Sequence, residues 1–96
     1  MDELDYTYSY FFMWGKDSCP YCIQARRLFF EKCLPHVAHS IDSQPELLAR
    51  VKKRFKWETI PIIVEYTVEG VQKFIGGYDD LVSYIEDAEK ARRAAP

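Results

Sequence analysis

Apolar positions change period several times along the chain, and each change predicts an element. Residues 7–14 are aromatic and mostly apolar up to Gly15, the pattern of a buried strand. From Pro20 the spacing turns helical. Ala25, Leu28, Phe29 and Cys33 recur at offsets of three, four and eight residues until Pro35, which predicts a helix over 20–34 with Pro20 as its first residue. Residues 36–41 alternate in part and read as a short strand. Ser43-Gln44-Pro45-Glu46 has the form of a capping box, opening a helix with Leu47, Leu48, Val51 and Phe55 on one face. Ile62, Ile63 and Val64 form an apolar β-branched strand, and Glu69-Gly70 turns the chain into a partner strand over 71–75. Gly76-Gly77 ends the sheet. Asp79 or Asp80 is expected to cap a last helix bearing Leu81, Val82, Ile85 and Ala88, followed by a solvated, charged end over 86–96.

The order is therefore βαβαββα. A helical crossover joins parallel strands and a hairpin joins antiparallel ones, so an α/β fold with a mixed four-stranded sheet and helices on both faces is expected. This arrangement is similar to the thioredoxin-like fold. No repeat, linker or low-complexity stretch divides residues 1–96, which are treated as a single domain. Ninety-six residues are too few for a Rossmann or TIM-barrel enzyme, while 48% hydrophobic and 29% charged residues are globular proportions. A net charge of -2 argues against nucleic acid as a partner. The longest apolar run, Tyr10 to Trp14, is too short for a membrane span, and the acidic start Asp2, Glu3, Asp5 is the wrong flank for a secretory leader. A cytoplasmic protein, expected to be a monomer, follows.

Three cysteines make a poor disulfide framework, because one is always left over. Two of them stand in Cys19-Pro20-Tyr21-Cys22. Because Pro20 begins the helix, Cys19 falls at its N-cap, where unpaired backbone N–H groups and the positive end of the dipole favour a thiolate. Lys16 on the loop before it adds a second positive charge. A thiolate stabilised in this way gains little in attack, since its nucleophilicity falls with its basicity, but it leaves readily from a mixed disulfide. Cys22, one turn on and on the same face, can reach Cys19 and serve as resolving thiol. A lone C-x-x-C can also be half of a zinc site, but a second ligand pair is missing. Cys33 is solitary, and His36 and His39 lack zinc-finger spacing. Cys33 is expected to be a partly buried packing residue.

Lys16-Asp17-Ser18-Cys19-Pro20-Tyr21-Cys22, then Thr59-Ile60-Pro61, then Gly76-Gly77-Tyr78-Asp79-Asp80-Leu81 resemble, in order and separation, the three signatures of dithiol glutaredoxins. The resemblance spans residues 8–86, and Pro-Tyr between the cysteines sets it apart from thioredoxins, which carry Gly-Pro. It implies a glutathione-dependent thiol transferase acting on protein disulfides and glutathionylated proteins, with Cys19 as nucleophile and Cys22 as resolving thiol. It also implies a glutathione groove. Ile60, next to Thr59 and ahead of a cis Pro61, would offer its backbone N–H and C=O to the cysteinyl part of the ligand. Gly77 and the start of the last helix at Tyr78 and Asp79 would receive the γ-glutamyl carboxylate. Asp79 or Asp80 would take the γ-glutamyl ammonium, and Tyr21 would border the groove.

The glycine carboxylate would fall to Lys16 and to a basic residue among Arg50, Lys52, Lys53, Arg54 and Lys56. Here the chain departs from many relatives, since Glu58 precedes Thr59 where a basic residue is common, with Trp57 beside it. Glutathione is thus expected as co-substrate and no metal as cofactor. The competing readings are a redoxin served by a flavoprotein reductase, an iron–sulfur dimer held through one Cys19 per chain, and a structural module.

Overall fold

The seven expected elements form in the expected order in a computed structural model that describes residues 9–94. They are β1 (Ser9–Gly15), α1 (Pro20–Glu31), β2 (His36–Ser40), α2 (Pro45–Phe55), β3 (Ile62–Thr67), β4 (Gln72–Gly76) and α3 (Tyr78–Ala94). Thr7 and Tyr8 of the expected first strand lie outside the described residues, as do the acidic start and the last two residues of the charged end.

The sheet runs β2-β1-β3-β4. β1 pairs in parallel with β2, from Phe11 opposite His36 to Gly15 opposite Ser40, because the α1 crossover returns the chain in the same direction. β3 pairs antiparallel with both β1 and β4, with a register shift between Ile63 and Val64. The alternation along β1 divides its side chains between two layers. Phe11 and Met13 point with Ile63 into a core closed by Cys22, Ala25 and Phe29 of α1 and Leu81 and Ile85 of α3. On the other face Trp14 meets Phe55 of α2 at 5.8 Å between ring centroids, and Phe55 stacks on Phe74 at 5.2 Å.

Helix ends depart from expectation. α1 stops at Glu31 rather than at residue 34, because Cys33 turns left-handed with φ 55°. The Leu34 N–H bonds the Phe29 carbonyl at 2.8 Å and the Cys33 N–H bonds that of Phe30 at 3.1 Å, a Schellman closure. Cys33 is consequently exposed instead of packed. The Ser43–Glu46 capping box does not form. Pro45 disfavours helical backbone at the residue before it, so Gln44 is the N-cap, without a side-chain cap bond, and its Oε1 pairs with His39 Nε2 at 2.9 Å. Neither Asp79 nor Asp80 is the N-cap of α3, which starts already at Tyr78. Asp80 caps from the third helical position, its Oδ2 accepting the Gly77 N–H at 3.0 Å. The segment read only as a charged end continues α3 to Ala94, with most of its residues exposed.

Candidate active site

Three chain segments meet at the carboxyl end of β1. The first is the loop from Gly15 to Cys19. Its Asp17 N–H donates to Asp42 Oδ2 at 3.2 Å, and the Ser40 hydroxyl reaches the same oxygen at 2.9 Å. These two donors hold the Asp42 carboxyl below its ordinary value and tie the loop to the end of β2. A turn from the Lys16 carbonyl to the Cys19 N–H, 3.3 Å, then delivers Cys19 as N-cap of α1, with φ -76° and ψ 122°. Its carbonyl accepts the first helical bond, from Ile23 N–H at 3.0 Å, and its sulfur makes no cap bond. Cys19 is therefore half-exposed beside first-turn amides that have no helical acceptor.

Cys22 lies one turn on and is fully buried. Burial pushes its thiol up to about 12, and the neighbouring Cys19 acts in the same direction. The space for its sulfur comes from β1. A Cβ built on Gly15 would stand 2.7 Å from Cys22 Sγ, so only glycine fits there while the thiol keeps its place.

The second segment is the loop before β3, where the Ile60–Pro61 peptide is cis. Its Ile60 carbonyl oxygen lies 4.0 Å from Cys19 Sγ, the outer limit of a weak S–H···O contact. The third is the start of α3. Gly76 takes φ 124°, and a Cβ on it would meet Asp80 Oδ2 at 2.6 Å, so the capping carboxylate and a glycine at 76 require each other.

These segments enclose a groove of about 590 Å³. Lys16, Tyr21, Thr59, Ile60, Pro61, Gly77, Tyr78, Asp79 and Asp80 all line it. The two cysteines do not; Cys19 stands at its margin, through Ile60. Tyr21 is 56% exposed and stacks on Tyr78 at 6.2 Å, bridging the start of α1 to that of α3. Of the basic cluster on α2, Lys52 alone faces the groove, whereas Arg54 is drawn to Gln72 Oε1 at 3.0 Å. Two further wall residues, Leu48 and Trp57, were read only as a core position and as a neighbour of the motif. The spacing of four between Leu48 and Lys52, which sets both on one side of α2, is the sequence signal for that wall. Glu58 completes the lining. Among the described residues no three His, Cys, Asp or Glu side chains stand together as a metal site.

Solved structures similar to this chain include three glutaredoxins. That from wheat is 24% identical over 79% of this chain and 71% of its own, with a TM-score of 0.66. That from Brucella melitensis is 24% identical over 91% and 88%, with a TM-score of 0.66. A dithiolic one from Trypanosoma brucei brucei is 25% identical over 81% and 78%, with a TM-score of 0.65. No curated protein matches by sequence. At such identities the structural likeness speaks to the thioredoxin-like fold, and a family model carries the rest. The model for glutaredoxin matches residues 11–67, more than half of the chain and all of the Cys19–Cys22 motif. This chain belongs to the glutaredoxin family of thiol–disulfide oxidoreductases.

Proposed function

We propose that the protein reduces glutathione mixed disulfides and protein disulfides at the expense of glutathione, working from the cytoplasm as a monomer. The observation that carries this reading is the groove beside Cys19, with cationic Lys16 and Lys52 in its wall and the amide-bearing start of α3 at Tyr78 and Asp79. Glutathione is a short peptide with a carboxylate at each end, and these two places offer a positive charge and a helix N-terminus.

In the reaction the Cys19 thiolate attacks the glutathione sulfur of a mixed disulfide. The S–S bond breaks, the protein thiolate leaves, and Cys19 carries the glutathionyl group. A second glutathione thiolate then attacks that sulfur, forming oxidised glutathione and restoring the Cys19 thiolate. The alternative route, attack by Cys22 with release of glutathione and closure of Cys19–Cys22, first requires Cys22 to lose a proton that burial holds tightly. On small substrates glutathione from solution resolves Cys19 without that deprotonation.

A coupled assay with glutathione, glutathione reductase and NADPH on a small mixed disulfide tests this. Cys19→Ser abolishes turnover and Cys22→Ser retains it. Equal loss in both variants removes the single-thiol route, and a wild-type protein that shows no heat of glutathione binding by calorimetry is instead a redoxin served by another reductant.

A further inference from the structure

Trp57 Nε1 is the one buried side-chain nitrogen or oxygen among the described residues that lacks a hydrogen-bond partner. A buried indole N–H without an acceptor costs free energy comparable to a lost hydrogen bond, and Trp normally finds one. The ring is held by packing. It meets Phe74 edge-on at 5.4 Å between centroids, which fixes where the nitrogen stands without satisfying it.

Trp57 belongs to the wall of the groove, and its nitrogen lies buried behind that wall. Opposite it lies Gly77, and a Cβ added to Gly77 would stand 3.8 Å from Trp57 Nε1, 3.7 Å from its Cζ2 and 3.7 Å from the Pro61 carbonyl oxygen. Those are ordinary contact distances, so a methyl at position 77 would rest against the edge of the indole that carries the nitrogen. The amide of Gly77 is already taken by Asp80. The indole N–H is therefore a spare donor, buried beside the Gly77 backbone next to the first turn of α3.

Resting on the glutathione reading above, we propose that Trp57 is a specificity-determining residue whose Nε1–H donates to the ligand carboxylate seated over the start of α3. The chemical class it selects is an anionic γ-glutamyl peptide thiol, for which the indole adds a directional donor to the backbone amides of Tyr78 and Asp79. Glu58 gives a reason for such a donor. A carboxylate in the wall works against an anionic ligand, and a neutral N–H recovers attraction without another cation.

The test is a titration of the ¹⁵N-labelled full chain with reduced glutathione, read on its two indole resonances, together with steady-state kinetics of Trp57→Phe and Gly77→Ala. The Trp57 indole proton moves downfield as the Tyr78 and Asp79 amides shift, while that of Trp14, packed between Phe12 and Phe55, stays still. Trp57→Phe keeps the contact with Phe74 and raises KM for glutathione roughly tenfold at little change in kcat, the size expected for a hydrogen bond to a charged group. Gly77→Ala sets a methyl against the nitrogen-bearing edge of the indole, blocks a ligand oxygen from reaching it, and raises KM in the same sense. An indole resonance that stays put while the amides shift, or an unchanged KM in a folded Trp57→Phe, overturns the role of Trp57 and leaves the glutathione reading standing. If no amide shifts at all, that reading falls first and this one with it.

Discussion

Cys19, Cys22 and Cys33 share one side-chain chemistry and differ in what surrounds the sulfur: half-exposed at a helix start, fully buried, and exposed. Since burial keeps Cys22 protonated up to about 12, iodoacetamide applied to the native protein at pH 7 modifies Cys19 and Cys33 and spares Cys22. Peptide mass spectrometry reads this directly, and a Cys22 adduct formed at the rate of Cys33 would contradict it. The slot that holds Cys22 gives a second expectation. With only 2.7 Å between a Gly15 Cβ and Cys22 Sγ, Gly15→Ala overpacks the junction of β1 and α1 and lowers stability by about 1–3 kcal/mol. In a Cys22→Ala background the sulfur is gone and most of that loss is recovered, a coupling that a double-mutant cycle in urea measures. Equal losses in both backgrounds would locate the strain elsewhere. The identities of the cysteines and the motif around them were legible in the sequence. The matching of Gly15 to Cys22 was not, because it depends on how closely a strand end approaches a helix that follows it by only a short loop.

Elements were readable where the hydrophobic period is long and clear, as in β1, the β3–β4 hairpin and the apolar face of α2. They were misread at their ends, where one backbone dihedral decides and no periodicity exists. Both α1 and α2 close with a residue other than glycine in left-handed conformation, Cys33 at φ 55° and Lys56 at φ 54°. The usual glycine signal for a helix end is therefore missing from the sequence, and α1 was extended through Cys33 accordingly. The same fact predicts a gain. A left-handed residue with a Cβ is strained by about 1–2 kcal/mol, and glycine would remove that strain while raising unfolded-chain entropy by about 0.4–1 kcal/mol equivalent. Cys33→Gly and Lys56→Gly are each expected to raise stability by about 0.5–1 kcal/mol, seen as a higher urea midpoint at unchanged slope. Both side chains are exposed, so no packing is lost against the gain. A fall in the midpoint of either variant would mean that the left-handed turn carries no strain.

At the scale of the molecule, the two ends of the β1–β3 ladder each hold a group that resists losing a proton. Cys22 sits near the carboxyl end of β1. Toward the other end the Tyr84 hydroxyl donates to Glu65, whose second oxygen accepts from Ser9 at 2.6 Å. Burial first, and then this carboxylate, push Tyr84 up to about 12. The ordinary values are 9.0 for the thiol and 10.0 for the phenol. Both groups have raised values in the folded state, so the unfolded chain loses these protons first. Their contribution is complete below the unfolded value and is lost as pH climbs from there to about 12. The carboxyls work in the opposite sense. Asp42, bonded by Asp17 and Ser40, and Glu89, bonded by Lys32 at 2.8 Å, have lowered values, so what they add is present above the ordinary carboxyl range and disappears as pH falls below it. Asp42 is exposed and Glu89 half-buried at the surface, where solvent screens both, which keeps the acid limb shallow beside the alkaline one. Urea midpoints measured across the pH scale should thus hold level in the neutral range and begin to drop near pH 9.0, the unfolded thiol value. In Cys22→Ala the drop begins a unit later, near the 10.0 of the phenol, whereas in Tyr84→Phe it still begins near 9.0 and is shallower beyond. Alkaline limbs that run parallel in all three proteins would mean that neither end of the ladder governs the loss, and that the surface lysines and tyrosines do.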